Sequence, residues 1–227
     1  MMREIRSVWV WMVMMAAGAA TANAQTAAPA GRYYAEFTPA ATLGHMSDSS
    51  FGGEAGIRVN DRLEGFLEAG HMGNVATSDN DARAAVVAAF IGGSASVVQK
   101  ANYVDIGVKY RLPTLAERWR PYVGIGGGVA RVRNATHFFV GGNDVTAQLE
   151  AGDCPSCTTN VLLGNDLTGS LTKGLIVIPV GVQTDFARRY LVDISYRFGR
   201  ILARSGAIEN DVGISTQRVQ VGVGIRF

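Results

Sequence analysis

The stretch RVQVGVGIRF, Arg218 to Phe227, sets Val219, Val221, Val223, Ile225 and Phe227 on one side and Arg218, Gln220, Gly222, Gly224 and Arg226 on the other. A period of two marks a β-strand with one apolar and one polar face. Such a face usually lies against a protein core. Here the strand runs to the last residue and stops on an aromatic ring, so what its apolar row touches must be read from the rest of the chain.

The first 24 residues read as an export signal. Arg3 and Arg6 give a basic start, Val8 to Ala20 form an apolar run, and Ala22-Asn23-Ala24 supplies an A-x-A cleavage site, so the mature chain is expected to begin at Gln25. The run falls short of the roughly 20 apolar residues a membrane anchor requires. Residues 25–32 form a short lead, and 33–227 the single folded domain. Removing Arg3, Glu4 and Arg6 takes the formal charge from +2 to +1. That balance gives no footing for nucleic acid or for an acidic partner. Glycine, 28 of 227 residues, exceeds its usual share of about 7% and points to turns, bulges and crowded strands. No cofactor or metal is expected.

The two cysteines, Cys154 and Cys157, stand in DCPSC. No second C-x-x-C or histidine pair completes a zinc site, and the motif does not open a helix as a redox pair would. In an exported chain a small structural disulfide is the expectation.

Alternation marks eight strands: 33–45, 51–60, 63–72, 102–112, 119–133, 174–186, 190–202 and 215–227. Most approach the roughly 9–11 residues that a tilted strand needs to cross a bilayer. The connections after the second, fourth and sixth are short (DR, PTLAER and ARR). Those after the third and fifth are long, and that after the seventh is intermediate. Only the first, MSDSS, breaks the trend. Short turns on one side and long loops on the other are the layout of an outer-membrane β-barrel. Threading the strands up and down gathers Tyr33, Tyr34, Tyr110, Trp119, Tyr122, Phe186, Tyr190 and Phe227 at the short-turn end. Amphipathic rings collect there as a girdle at the membrane boundary; the opposite girdle is thinner, with Phe51 and one of Phe138 and Phe139.

The row opposite the apolar one separates lipid contact from an ordinary core. In a narrow closed barrel it points into a lumen too tight for bulk water, where charges need partners. The inward positions are expected to carry Glu36, Glu54, Glu64, Glu68, Asp105, Asp185 and Asp193. They are also expected to carry Arg58, Lys109, Arg111, Arg197, Arg218 and Arg226. Seven acids against six bases suit a paired, plugged interior.

On these features the chain resembles the small eight-stranded outer-membrane barrels related to the OmpA transmembrane domain, OmpX and OmpW, across essentially the whole mature sequence. RPYVGIGGGVARV and VDISYRFGRI are similar to that family's strands, and the terminal Val223, Ile225 and Phe227 to its signal for the barrel-assembly machinery. Two surface loops are longer than the family pattern, and no peptidoglycan-binding domain follows the eighth strand. The resemblance implies an all-β, antiparallel up-and-down transmembrane barrel in the outer membrane. It also implies lipid as the surrounding medium and the assembly machinery as a partner in biogenesis.

Other motifs have plain readings. GIGGG, Gly124 to Gly128, lacks the third glycine of a dinucleotide loop and reads as space for bulky neighbours inside a barrel. Asp79 to Gly93 reads as a short helix in a surface loop, capped by Asp79 or Asp81 and ended by Gly92-Gly93, and laid over the barrel mouth as a lid. NAT at Asn134 matches a glycosylation pattern by chance. The long loop after the fifth strand is either mobile or ordered by a partner, with a Cys154–Cys157 bridge pinching its tip. His45, Ser47 and Asp48, with His71 near the same level, could be placed in a rim relay like that of a lipid A deacylase, but three groups in one tight loop form a relay poorly.

The expected function is therefore non-enzymatic: a monomeric barrel displaying surface loops, structural or interactive in the envelope, with an extracellular ligand or host partner open. A passive conduit or binder for small apolar molecules, as in OmpW-like barrels, is the alternative, and a lipid-modifying enzyme a third. An apolar pocket under the loops would favour conduction; a continuous ion-pair plug would oppose it.

Overall fold

The computed structural model describes residues 31–113, 118–163, 165–186, 189–203 and 213–227. The segment read as a signal and most of the lead lie outside these. Eight long strands form the body: β1 (Tyr33–Leu43), β2 (Asp48–Arg58), β3 (Leu63–Met72), β4 (Ser94–Arg111), β5 (Trp119–Val140), β6 (Ser170–Phe186), β7 (Tyr190–Ile201) and β8 (Ile214–Arg226). Each pairs antiparallel with the next, and β1 also pairs with β8, so the sheet closes on itself. At the seam Tyr33 and Phe227 exchange backbone hydrogen bonds of 3.0 and 2.9 Å, and their rings stack at 6.2 Å. Among the described residues the closed part of the sheet has no edge strand, the condition for a β-structure to stand in hydrocarbon.

The side-chain alternation sorts every strand. Outward rows are apolar and exposed: Val104, Ile106 and Val108 on β4, Val123, Ile125 and Val129 on β5, Val219, Val221, Val223 and Ile225 on β8. From Trp119 to Val129 the outward row of β5 spans ten residue steps. At about 3.3 Å per step and a tilt of about 40° that is roughly 25 Å, the height of an outer-membrane apolar band.

Inward, bulky groups need room. A Cβ on Gly56 would stand 2.1 Å from the Tyr34 ring, and one on Gly126 3.0 Å from both Phe66 and Val177. The glycines of GIGGG lie within β5, and Gly126 among them leaves room for the Phe66 ring.

The most informative departure from the sequence pattern is the length of β4 and β5. Ladder pairing continues from Ala101↔Val132 up to Ser94↔Phe139, well past where apolar alternation ends at Asn102 and Arg133. Above the lipid the outward row turns polar, so the period-two signal fades while the hydrogen bonds persist. The projecting ribbon carries helix α1 (Ser78–Ile91) and the segments 141–163 and 165–169. Ala84, Ala88 and Ile91 of α1 pack with Val97, Phe138, Val145, Leu149, Cys154 and Leu167 into a second hydrophobic cluster.

The helix is capped by Thr77, whose hydroxyl accepts from Asn80 N–H, and not by Asp79 or Asp81. A threonine just before the first turn reaches that orphan donor, whereas the two aspartates already lie inside the turn. Gly92, at φ 74°, closes the helix in the left-handed conformation. The long loop is thus ordered by the chain's own ribbon and helix. Its disulfide joins Cys154 to Cys157 across a Cα separation of 5.4 Å. Rather than pinching an exposed tip, the bridge sits against this cluster: Cys154 is buried, and Thr158 N–H donates to Ile91 O at 3.1 Å.

Phe138 is fully buried in this cluster, so it takes no part in an upper girdle. Phe138→Ala should cost the loop assembly about 3–5 kcal/mol. Hydrogen exchange should accelerate in α1 and in 141–163 while the strand amides keep their protection; unchanged exchange in α1 would contradict an independent loop core.

Candidate functional site

The inward row of a closed barrel has no solvent to satisfy its charges, so the lumen is where this sequence must do its polar chemistry. The structure gathers the thirteen charged residues anticipated there into two linked groups and three side chains outside them.

Arg197, fully buried, bridges two carboxylates, donating to Glu54 and to Glu68. Lys109 donates to Glu54, which also accepts from the Tyr34 hydroxyl, and stands 3.9 Å from Asp193. Tyr122 donates to Asp193 at 3.0 Å. Arg218 lies 3.4 Å from Glu68 and donates to the Tyr103 hydroxyl, which itself donates to Glu68 at 2.9 Å. Lys109 also sits 4.8 Å from the centre of the Tyr122 ring and 5.4 Å from that of Phe66, positions where a ring face attracts a cation. Nearer the short turns, Arg111 donates to Glu64. Arg226 reaches Glu64 at 3.6 Å and Asp185 at 2.6 Å, and Arg120 joins Asp185 at 2.8 Å. Gln183 ties the group together by accepting from Arg226 at 3.2 Å.

Glu36, Asp105 and Arg58 make no ion pair among the described residues. Both carboxylate oxygens of Glu36 and of Asp105 are buried without a hydrogen bond, as are Nε and Nη2 of Arg58. Above the charged layer, Met72, Val75, Ala101, Tyr103, Ala130, Val132, Leu175, Ile201 and Ile214 form an apolar one. Val75 is held in it by Val75 N–H donating to Gln99 O at 2.7 Å.

Tyr122 is 1% exposed and belongs to the lumen, not to the girdle. Trp119 faces outward, and a residue three places along a period-two strand must face the other way. Tyr34, adjacent to outward Tyr33, is interior for the same reason. The other rings expected at the boundary, Tyr33, Tyr110, Trp119, Phe186 and Tyr190, face outward, as do Val223, Ile225 and Phe227. The interior residues Tyr34, Tyr103, Tyr122, Phe66 and Gln183 were not singled out as part of the network. Strict alternation from Trp119 would have found Tyr122, whereas polar partners such as Gln183 carry no distinctive pattern.

The rim residues do not assemble a relay. His45 pairs with Asp81 of α1, and Asp48 accepts from Ser49 N–H at 2.6 Å. His71 lies on the outer wall and bonds Asn102 at 2.7 Å. Among the described residues no hydrogen bond joins Ser47 to a histidine, and no group of three or more His, Cys, Asp or Glu side chains could hold a metal. Asn134 accepts from Gln99 at 2.6 Å within β5. Outside the membrane, Asp144 is held down to about 2 by hydrogen bonds from the hydroxyl and N–H of Thr146, with His137 adding to them.

A family model described as the outer membrane protein β-barrel domain matches residues 12–227. The chain belongs to that family. Membership places it in the outer membrane of a Gram-negative cell, with lipid around the barrel. Among solved structures, Neisserial surface protein A aligns at 17% identity and a TM-score of 0.50, covering 88% of this chain and 100% of its own. The N-terminal barrel of Pseudomonas aeruginosa OprF aligns at 15% and 0.47, covering 87% and 99%. Ail of Yersinia pestis, solved with the heparin analogue sucrose octasulfate, aligns at 12% and 0.42, covering 86% and 96%. At such identities the likeness shows the fold alone. No curated protein matches the chain.

The network separates two kinds of buried acid. Glu54→Gln leaves Arg197 and Lys109 short of a counter-charge and should cost about 3–5 kcal/mol. Asp105→Asn removes a buried carboxylate that no cation or donor contacts and should be neutral or stabilising. Urea unfolding midpoints in lipid vesicles check both; equal losses in the two variants would contradict the assigned pairing.

Proposed function

We propose that this is a non-enzymatic outer-membrane barrel that displays a folded loop assembly at the cell surface and serves the envelope structurally or through an interaction of those loops. The observation that carries this reading is the filled lumen. Arg197, Lys109, Tyr34 and Tyr122 are each 1% exposed or less and, with the acids they contact, link strands across the interior, so the inside is filled and the variable surface lies outside. The pairing of His45 with Asp81 and of His71 with Asn102, in place of a relay through Ser47, supports a non-enzymatic role. Export by a cleaved signal over residues 1–24, recognition of Val223, Ile225 and Phe227 by the barrel-assembly machinery, anchoring by the outward rings and a monomeric state complete the proposal.

The alternative, a conduit or binder for small apolar molecules, draws on the apolar layer at the mouth. The ion-paired layer below it stands across any route through the barrel, so the structural reading is preferred. Single-channel recording of the refolded protein tests the choice. Silence at all voltages is expected, and discrete openings would contradict the plugged lumen. Phe227→Ala should lower the share of protein recovered in the outer-membrane fraction as a compact, heat-modifiable band; an unchanged share would remove the assembly role of that ring. Unaltered lipid A after incubation with the protein, read by mass spectrometry, is expected of a non-enzyme.

A further inference from the structure

The outer wall carries a charge arrangement that neither the lumen nor the loop core uses. On the β4–β5 ladder the last apolar outward pair is Val104↔Val129, the next outward pair is Asn102↔Arg131, and the next is Lys100↔Arg133. Lys100 and Arg133 are therefore like charges directly opposite on one face, an arrangement that destabilises a sheet unless an anion intervenes. Both are exposed, and neither has an ion pair or hydrogen bond among the described residues. Among the described residues the Arg131 side chain makes one hydrogen bond, to the Ser170 hydroxyl at 3.4 Å.

These three cations line a cavity of about 750 Å³ together with His71, Asn102 and Ser170. One acid, Glu150, lines it as well, which leaves an excess of positive charge.

Height identifies the occupant. Two residue steps along a strand tilted by about 40° rise roughly 5 Å. Arg131 thus stands about 5 Å, and Lys100 and Arg133 about 10 Å, above the top of the apolar band. Arg131 therefore lies within the polar headgroup layer, about 5–7 Å thick on each side of a bilayer core. Lys100 and Arg133 stand one rung beyond it, so a ligand touching all three reaches from that layer outward, as a large sugar-phosphate headgroup does. Directly below, Val104, Ile106, Ile125 and Val129 offer an apolar wall along which acyl chains can run while a headgroup sits in the cavity.

We propose that Lys100, Arg131 and Arg133 form a binding site on the outer wall for the phosphorylated headgroup of an outer-leaflet glycolipid, with His71 and Asn102 as further hydrogen-bonding groups. The site rests on the membrane-embedded reading but not on any role of the loops. Phosphate oxygens would place the missing negative charge between the opposed cations, and a guanidinium fork suits phosphate geometry. Each cation near a charged lipid surface contributes enough to change binding several-fold.

The test uses the mature protein refolded in detergent micelles, with bisphosphorylated lipid A and its dephosphorylated form as probes and retained lipid read by native mass spectrometry. The wild type should retain the phosphorylated lipid over the dephosphorylated one by roughly tenfold or more. That preference should vanish in the triple variant Lys100→Gln/Arg131→Gln/Arg133→Gln and persist in Arg200→Gln, which removes an exposed outward arginine on β7. Without lipid, the triple variant should melt at a higher temperature than the wild type because the like-charge opposition is gone; the single Arg133→Gln should show the same sign if the triple variant folds poorly. Equal retention by the triple variant, equal retention of dephosphorylated lipid or equal loss in Arg200→Gln would each overturn the site. Full displacement by inorganic pyrophosphate would assign it to soluble anions and overturn the lipid proposal. A wild type with no heat-modifiable band would instead mark failure of the membrane-barrel reading itself.

Discussion

Every strand of this protein runs through a medium that offers its backbone no hydrogen-bonding partner, so the ladder must close. The meeting of Tyr33 with Phe227 at the β1–β8 seam is the contact on which the other features depend. Once the sheet is a cylinder, each strand has one face toward lipid and one toward a narrow interior, and residue parity alone decides which side chains go where. The apolar outward rows follow from the first condition. The cross-linked acids and bases follow from the second, because a charge in the lumen has no water to retreat to.

The interior is uneven, and the unevenness is informative. Arg197 holds two carboxylates from different strands, and Arg226 likewise joins β3 to β6 through Glu64 and Asp185. Such bridges contribute less to net stability than they do to fixing which strands face one another, since desolvation offsets much of the Coulomb gain. Glu36 and Asp105 stand outside this pairing. Above the ion network lies an apolar cluster, at whose level Lys173 is also buried, and above that the β4–β5 ribbon leaves the membrane and supports a second small core. The chain is therefore layered along its axis, with girdle, ion network, apolar plug and loop assembly in succession.

Much of this was legible in the sequence because period two is a strong signal where one face is uniformly apolar. β3 ends where the pattern says, and β8 within one residue of it. The inward charges could be named for the same reason. The pattern failed where its physical basis did. Beyond Asn102 and Arg133 the outward face has left the hydrocarbon, alternation disappears, and the continuing ladder reads as loop. Tyr122 was assigned by its ring chemistry when its spacing from Trp119 already excluded the outer face. The order of the long loop was hidden because Val97, Phe138, Leu149 and Cys154 come together only through the ribbon, from positions far apart in the chain. Lys100 and Arg133 were unremarkable in sequence, and only the register makes them neighbours.

The central claim is that odd and even residues of one strand meet different media. It is tested most directly by placing a single tryptophan at Ile106 or at its neighbour in sequence but opposite in face, Asp105, in a Trp119→Phe background, and measuring fluorescence in vesicles of brominated lipid. The account predicts strong quenching at residue 106 and little at residue 105. Equal quenching at both, or the reverse order, would contradict a barrel with lipid outside and ion pairs within.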